Sequence, residues 1–308
     1  MKPFRFGVQV GRPASRADWA ERARQIEDCG YSTLLCADHL DEVISPHIGL
    51  MAAADATSTL HVGTLVLNND LRHPAVVARE AAALDQLTDG RFELGLGAGH
   101  SFPEYARVGI PFDPPGTRIS RLAESAAVIR RLIDGETVDF AGRFYKLAGE
   151  RCYPVPRHHV PILLGGGRRV LGLAARQADI VGFTGLGRTL EDGNMHESTF
   201  FGPAGVDDQV AWVKQCAGER LLTLEFQALV QQVEVTDRPI EAAERFGARA
   251  GGVSVEDVLG SPYALIGSID AIAEKLVAVR ERWGHSYFTI RWPMAEALAP
   301  VVARLAGT

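Results

Sequence analysis

Lysine is the scarcest charge in this chain: Lys2, Lys146, Lys214 and Lys275 are the only ones in 308 residues, and the other basic residues are arginine. None of the four falls at the end of a predicted strand. That placement argues against an aldolase-like barrel, which would put a catalytic lysine there. Cysteine is as rare. Cys29, Cys36, Cys152 and Cys216 are scattered, with no C-x-x-C pair and no histidine at zinc spacing, so they read as reduced thiols rather than as a disulfide framework or a metal site. No apolar run approaches the roughly 18 residues of a membrane span, and residues 1–10 lack the stretch of a secretory signal. The chain therefore reads as cytoplasmic, with no membrane partner. The net charge of −6 includes no basic block, which argues against a nucleic-acid partner and favours a small-molecule substrate.

Strand-like and helix-like runs alternate from end to end, the pattern of βαβ units and a parallel sheet. Residues 4–10, 33–37, 60–67, 91–95, 160–164, 179–183, 221–230 and 287–290 read as strands. Each is followed by a helix. The first helix carries Trp19, Ala23 and Ile26 on one face and closes at Gly30; another, over residues 117–133, carries Leu122, Ala126, Ile129 and Ile133. Eight such pairs predict an α/β fold, a (β/α)8 TIM barrel, with a doubly wound open sheet as the alternative. Without a second composition regime or an internal repeat, residues 1–308 read as a single domain. Insertions are expected at about 136–159, with a hairpin around Gly142, and at 184–206.

In a barrel, chemistry sits at the C-terminal ends of the strands. Gln9 ends the first predicted strand, Asp38-His39 the second, and Asn68-Asn69-Asp70 the third. His100 follows the fourth. A histidine at the barrel mouth exchanges protons near neutral pH, with the adjacent aspartate holding it or bonding a ligand; a capped loop pair is the plainer reading. Gly97-Ala98-Gly99 permits close backbone approach to a flat ligand, or is simply a turn. The dinucleotide fingerprint fails, because His100 and Phe102 stand where its last glycine belongs. Gly165-Gly166-Gly167-Arg168-Arg169 places bare N–H groups at a helix start, an arrangement that suits a phosphate, and no P-loop or G-x-S-x-G elbow accompanies it. His158-His159 and Met195-His196 lack a second ligand at metal spacing and are expected to face solvent.

Several of these pieces, in order, resemble one family. Asp38-His39, Gly63-Thr64-Leu65-Val66-Leu67, the run from Asp89 to Gly99, Pro161-Ile162-Leu163-Leu164-Gly165-Gly166-Gly167 and Ile266-Gly267-Ser268 are together similar to the luciferase-like monooxygenase superfamily. Within it the chain looks closer to the branch that uses the deazaflavin coenzyme F420, with FMN as the alternative cofactor. The resemblance implies a bacterial luciferase-like barrel, a homodimer, and an oxidoreductase moving hydride between F420 and a small substrate. It further implies Asp38 and His39 beside the ring, with His39 or His100 handling the proton. A non-proline cis peptide is implied near Leu65-Val66, with Asn68 at the cofactor's polar edge. Gly97, Ala98 and Gly99 would line the cleft, and Gly165, Gly166, Gly167 and Arg168 would take the phosphate. Arg72, Arg168 and Arg169 are candidates for the carboxylates of the F420 tail. Where the sugar-phosphate dehydrogenases of this branch carry a glutamate after the glycine turn, this chain has His100, so their substrate is not carried over.

Overall fold

The computed structural model describes residues 1–41, 43–187 and 196–308. Eight parallel strands form a closed ring: β1 (Arg5–Val10), β2 (Thr33–Cys36), β3 (His61–Thr64), β4 (Phe92–Gly97), β5 (Ile162–Gly165), β6 (Ile180–Phe183), β7 (Glu225–Leu229) and β8 (His285–Arg291). The first and last strands are paired, with Gly7 opposite Thr289 and Gln9 opposite Arg291. The ring also closes between β3 and β4, where Val62 faces Phe92. This closure decides against an open doubly wound sheet.

The outer layer is helical: α1 (Arg16–Asp28), α2 (Pro46–Ala56), α3 (Pro74–Leu87), α4 (Phe102–Val108), α5 (Pro115–Ile133), α6 (Arg168–Gln177), α7 (Pro203–Ala217), α8 (Pro239–Arg249), α9 (Val255–Gly260), α10 (Ile269–Trp283) and α11 (Ala295–Leu305). Helix α1 shows why the sequence pattern works. Ser15 caps its first turn by accepting from the Asp18 N–H, and Trp19, Ala23 and Ile26 are its buried face. Just beyond its end, Gly30 takes a φ of 79°, a conformation costly for any residue with a Cβ.

Two apolar layers result. The larger lies between strands and helices; the smaller fills the barrel and consists of Leu35, Leu65, Leu163, Ile180, Leu229 and Tyr287, with Val66 packed against it. Charge is buried near the strand starts. Arg5 forks onto Glu225 and reaches Glu93 at 2.9 Å, its guanidinium lies 3.6 Å from the centre of the Tyr287 ring, and the Tyr287 hydroxyl donates to Glu93 at 2.7 Å. These contacts seal the end of the barrel away from its mouth.

Several boundaries differ from the sequence reading. Residues 218–222 form a turn of 3-10 helix, so β7 begins at Glu225. The strand ends at Leu229. Just beyond it, Gln232–Val235 pairs with Ala264–Gly267 in a separate two-stranded sheet, and α8 and α9 occupy the stretch between them. Helix α7 starts at Pro203, because proline fits a first helical turn. The hairpin at 136–159 is present, joining Val138–Ala141 to Lys146–Glu150. Glu124 on α5 pins it by accepting from the N–H groups of Arg143, Phe144 and Tyr145. Part of the second expected insertion, residues 188–195 with Met195, lies outside the described residues.

Candidate active site

Strand β3 stops at Thr64 because the chain bulges there. The Leu65–Val66 peptide bond is cis, and the chain then rejoins the sheet as Leu67–Asn68, opposite Leu96 and Gly97. Three contacts hold the bulge. Thr64 Oγ1 donates to the Gly95 carbonyl and accepts from the Gly95 N–H, both at 2.8 Å, and the Gln9 side chain donates to the Leu65 carbonyl at 2.7 Å. Gly97 allows the close packing: a Cβ there would come within 2.5 Å of a Val66 methyl. A Cβ on Gly99, at φ 75°, would fall 2.0 Å from the Tyr105 hydroxyl. The two glycines thus answer to local packing as well as to the space they leave open.

Leu65, Val66, Asn68, Gly97, Ala98 and Gly99 line one wall of a cleft of ≈1030 Å³ at the C-terminal ends of the strands, with Asp38, His39 and His100 beside them and Gly165, Gly166 and Gly167 further along. A volume at the upper end of ligand pockets suits a cofactor together with a substrate. Arg168 is not part of this lining; its guanidinium stacks 4.5 Å above the centre of the Trp212 ring, whose N–H donates to the Arg168 carbonyl.

The Asp38 carboxylate is already committed. It accepts from the Asn68 N–H at 3.0 Å and from both terminal nitrogens of Arg72. It neither holds His39 nor leaves Arg72 free for a cofactor tail. Asn68 is similarly engaged: its side-chain oxygen accepts from the Tyr105 hydroxyl at 2.9 Å and the Asp70 N–H at 3.1 Å.

The partner of His39 is a residue the sequence reading missed. Glu104, on α4, meets His39 Nδ1 at 2.6 Å, and its other oxygen accepts from the Leu40 N–H at 3.2 Å. Its side chain is 5% exposed against 39% for His39, so a sequestered carboxylate orients an accessible imidazole. The segment 101–116 reads as a loop with no interpretable pattern. Yet α4 forms there, with Pro103 in its first turn and Gly109 ending it at a φ of 71°. Glu104 in the first turn was the available signal.

His100 packs edge-on against His39, ring centres 5.3 Å apart, and His196 lies 5.0 Å from it on the other side. Burial, reinforced by the imidazoles of His39 and His196 alongside, pushes the pKa of His100 down to about 4. It is therefore a neutral imidazole at physiological pH. His196 was expected in solvent and is instead part of the cleft lining, carried there by the second insertion. His158 and His159 are exposed as expected, each paired with a carboxylate, Asp85 and Asp179. Among the described residues, no group of three or more His, Cys, Asp or Glu side chains is placed to hold a metal.

Gly165–Gly167 leads into α6 without a side-chain cap, and a Cβ on Gly167 would meet nothing within 4 Å. The Val170 N–H donates to the Gly167 carbonyl at 2.8 Å, while the N–H groups of Arg168 and Arg169 have no side-chain cap at the positive end of the helix, where an anion is stabilised.

A closed parallel barrel with its cleft at the C-terminal ends of the strands defines the class of (β/α)8-barrel enzymes. The luciferase-like monooxygenase family model matches residues 1–195, and the chain belongs to that family. Curated relatives include F420-dependent glucose-6-phosphate dehydrogenases from Nakamurella multipartita, 33% identical over 192 residues, and Kineococcus radiotolerans, 35% identical over 191. Those matches cover 58% of this chain and 55% and 56% of the relatives, so the chain spans about half the length of the curated relatives it matches. Among solved structures, an F420-dependent secondary alcohol dehydrogenase in complex with an F420–acetone adduct superposes with a TM-score of 0.77 at 18% identity, covering 99% of this chain and 98% of that one. The EDTA monooxygenase of Chelativorans gives 0.75 at 13%, covering 100% and 95%. At such identities these likenesses establish the fold alone.

Proposed function

We propose that this protein is an oxidoreductase that binds coenzyme F420 and moves a hydride between it and a small organic substrate. The observation that carries the reading is the pairing of His39 with buried Glu104 at the edge of a cleft that also holds the bulge and the open start of α6. The residues fit the cofactor: the Leu65–Val66 bulge is a wall for a flat ring, Gly97, Ala98 and Gly99 flank it, and Gly165–Gly167 would take a phosphate. When bound, the deazaflavin supplies the hydride-accepting ring carbon, and the protein supplies position and proton handling. His39 is the group that takes or returns the substrate proton, with Glu104 fixing its ring and stabilising the charge it gains. Asp38, spent on Arg72 and the Asn68 N–H, positions the strand tips. Neutral His100 donates or accepts a hydrogen bond without bringing charge to the site.

From the curated relatives named for F420 and glucose-6-phosphate we take the cofactor and not the substrate, because the chain spans only about half their length. We further propose a homodimer in the cytoplasm. Support for pairing comes from exposed Ile48 and Leu87, which border a groove between α2 and α3. No described helix is long and apolar enough to cross a membrane.

Titration of the purified protein with F420 and with FMN, followed by turnover of His39→Ala, tests the proposal. F420 is expected to bind in preference to FMN, and the variant to lose about 10²-fold in turnover. Failure to bind either cofactor ends the reading; a preference for FMN with oxygen consumption would make the protein a flavin monooxygenase instead.

A further inference from the structure

Among the described residues, the charges that line the cleft are answered one by one, with a single exception. Asp38 is met by Arg72, and Glu104 by His39. Arg118 spends its donors on backbone, reaching the carbonyls of Asp113, Ala98 and Gly99, and lies 4.0 Å from the centre of the Phe112 ring. Arg291 differs. It ends β8, is exposed to the cleft it lines, and its guanidinium forms no hydrogen bond or ion pair with any described residue. Its pKa is lowered by the protein mass around it, with no carboxylate to raise it again.

A second donor waits in the same cleft. Gln227, on the neighbouring strand β7, is 1% exposed, and its side-chain NH2 has no hydrogen-bond partner among the described residues. A buried amide left without a partner is destabilising, and one that lines a cleft is placed to donate to an oxygen of a bound ligand. The cleft therefore offers a neutral donor at depth and a charged one at the strand end.

The position of Arg291 separates it from the site assigned to the cofactor phosphate. Strand β8 stands four places round the ring from β4, directly across from Gly97–Gly99, and three places from β5 and the start of α6. Its lateral neighbour on β1 is Gln9, which braces the back of the bulge.

We propose that Arg291 anchors the substrate rather than the cofactor, and that the substrate is an organic anion whose carboxylate or phosphate pairs with this guanidinium while an uncharged oxygen reaches the Gln227 amide. Guanidinium is suited to both groups, since its fork matches either one bidentately. The inference rests on the proposed hydride-transfer site, and the test is arranged so that the two fail separately.

Calorimetry on F420-loaded protein would compare lactate with isopropanol and glycerol phosphate with glycerol, at constant ionic strength, in the wild type and in Arg291→Gln. At least one anion should bind about tenfold or more tightly than its neutral counterpart, the scale of a charge-assisted hydrogen bond. The variant should erase that difference while holding F420 affinity within about twofold. The pair that discriminates identifies carboxylate or phosphate. Equal affinity within both pairs, or discrimination that survives in Arg291→Gln, overturns the proposal. A tenfold loss of F420 affinity in the variant also overturns it, by assigning the guanidinium to the cofactor's own anions. If neither protein takes up F420, the hydride-transfer reading is what fails, and the same titration of cofactor-free protein still reads the anion preference.

Discussion

Glu104→Gln is the substitution that most directly interrogates the site. The side chain keeps its shape and can still accept from the Leu40 N–H, so α4 stays anchored, but the negative charge 2.6 Å from His39 is gone. A hydrogen bond in which one partner is charged is worth about 1.5–3 kcal/mol, and Glu104 is buried enough for that range to apply. If the imidazole gains its charge in the transition state, turnover should fall by about ten- to a hundredfold. The assay is single-turnover reduction of F420 by substrate, with urea denaturation run alongside to show that the variant is folded. A double-mutant cycle with His39→Ala supplies the decisive comparison. Glu104→Gln should have almost no further effect once His39 is absent. If it slows His39→Ala as much as it slows the wild type, Glu104 acts independently of His39 and the reasoning is wrong.

Two other predictions concern stability. His285 is fully buried with neither ring nitrogen bonded, and burial lowers its pKa to about 3. Because the folded value lies below the unfolded one of about 6.5, the protein should hold its full stability above that pH and lose several kcal/mol as the pH falls toward 3. His285→Phe, which keeps the ring between Phe183 and Phe226, should flatten that loss in denaturation midpoints measured across the interval; an unchanged acid profile refutes the assignment. At the closed end of the barrel, Glu93→Ala removes a partner from both Arg5 and Tyr287 and should cost about 3–5 kcal/mol, the range for breaking a buried ion pair. A loss below about 1 kcal/mol in urea titration would mean that Arg5 is satisfied by Glu225 alone.

The barrel was legible because its signal is local and repeated. Each strand is a short apolar run followed by an amphipathic helix, and Trp19, Ala23 and Ile26 or Leu122, Ala126 and Ile129 announce their buried faces without reference to anything distant. The strand-end residues were legible for the same reason. What the sequence concealed depends on pairings across long separations. Asp38 and His39 are adjacent in the chain, which suggests that they serve each other. In the fold their side chains find different partners, Arg72 and Glu104, the second of them 65 residues away. His196 illustrates the converse case, a polar residue in a Gly-rich stretch that reads as solvent-facing until the insertion brings it beside His100. Gln227 and Arg291 carry no motif at all; they matter only because two neighbouring strands end at the same cleft.

The 2.7 Å bond from Gln9 to the carbonyl of Leu65 has a practical corollary. The surface proposed to receive the ring is braced by a side chain from the opening strand, so the docking platform exists only when the amino-terminal quarter of the barrel has assembled in correct register. Retention of F420 would then serve as a gauge of structural integrity in that quarter, and a variant altered only at Gln9 should release the cofactor before any helix has melted.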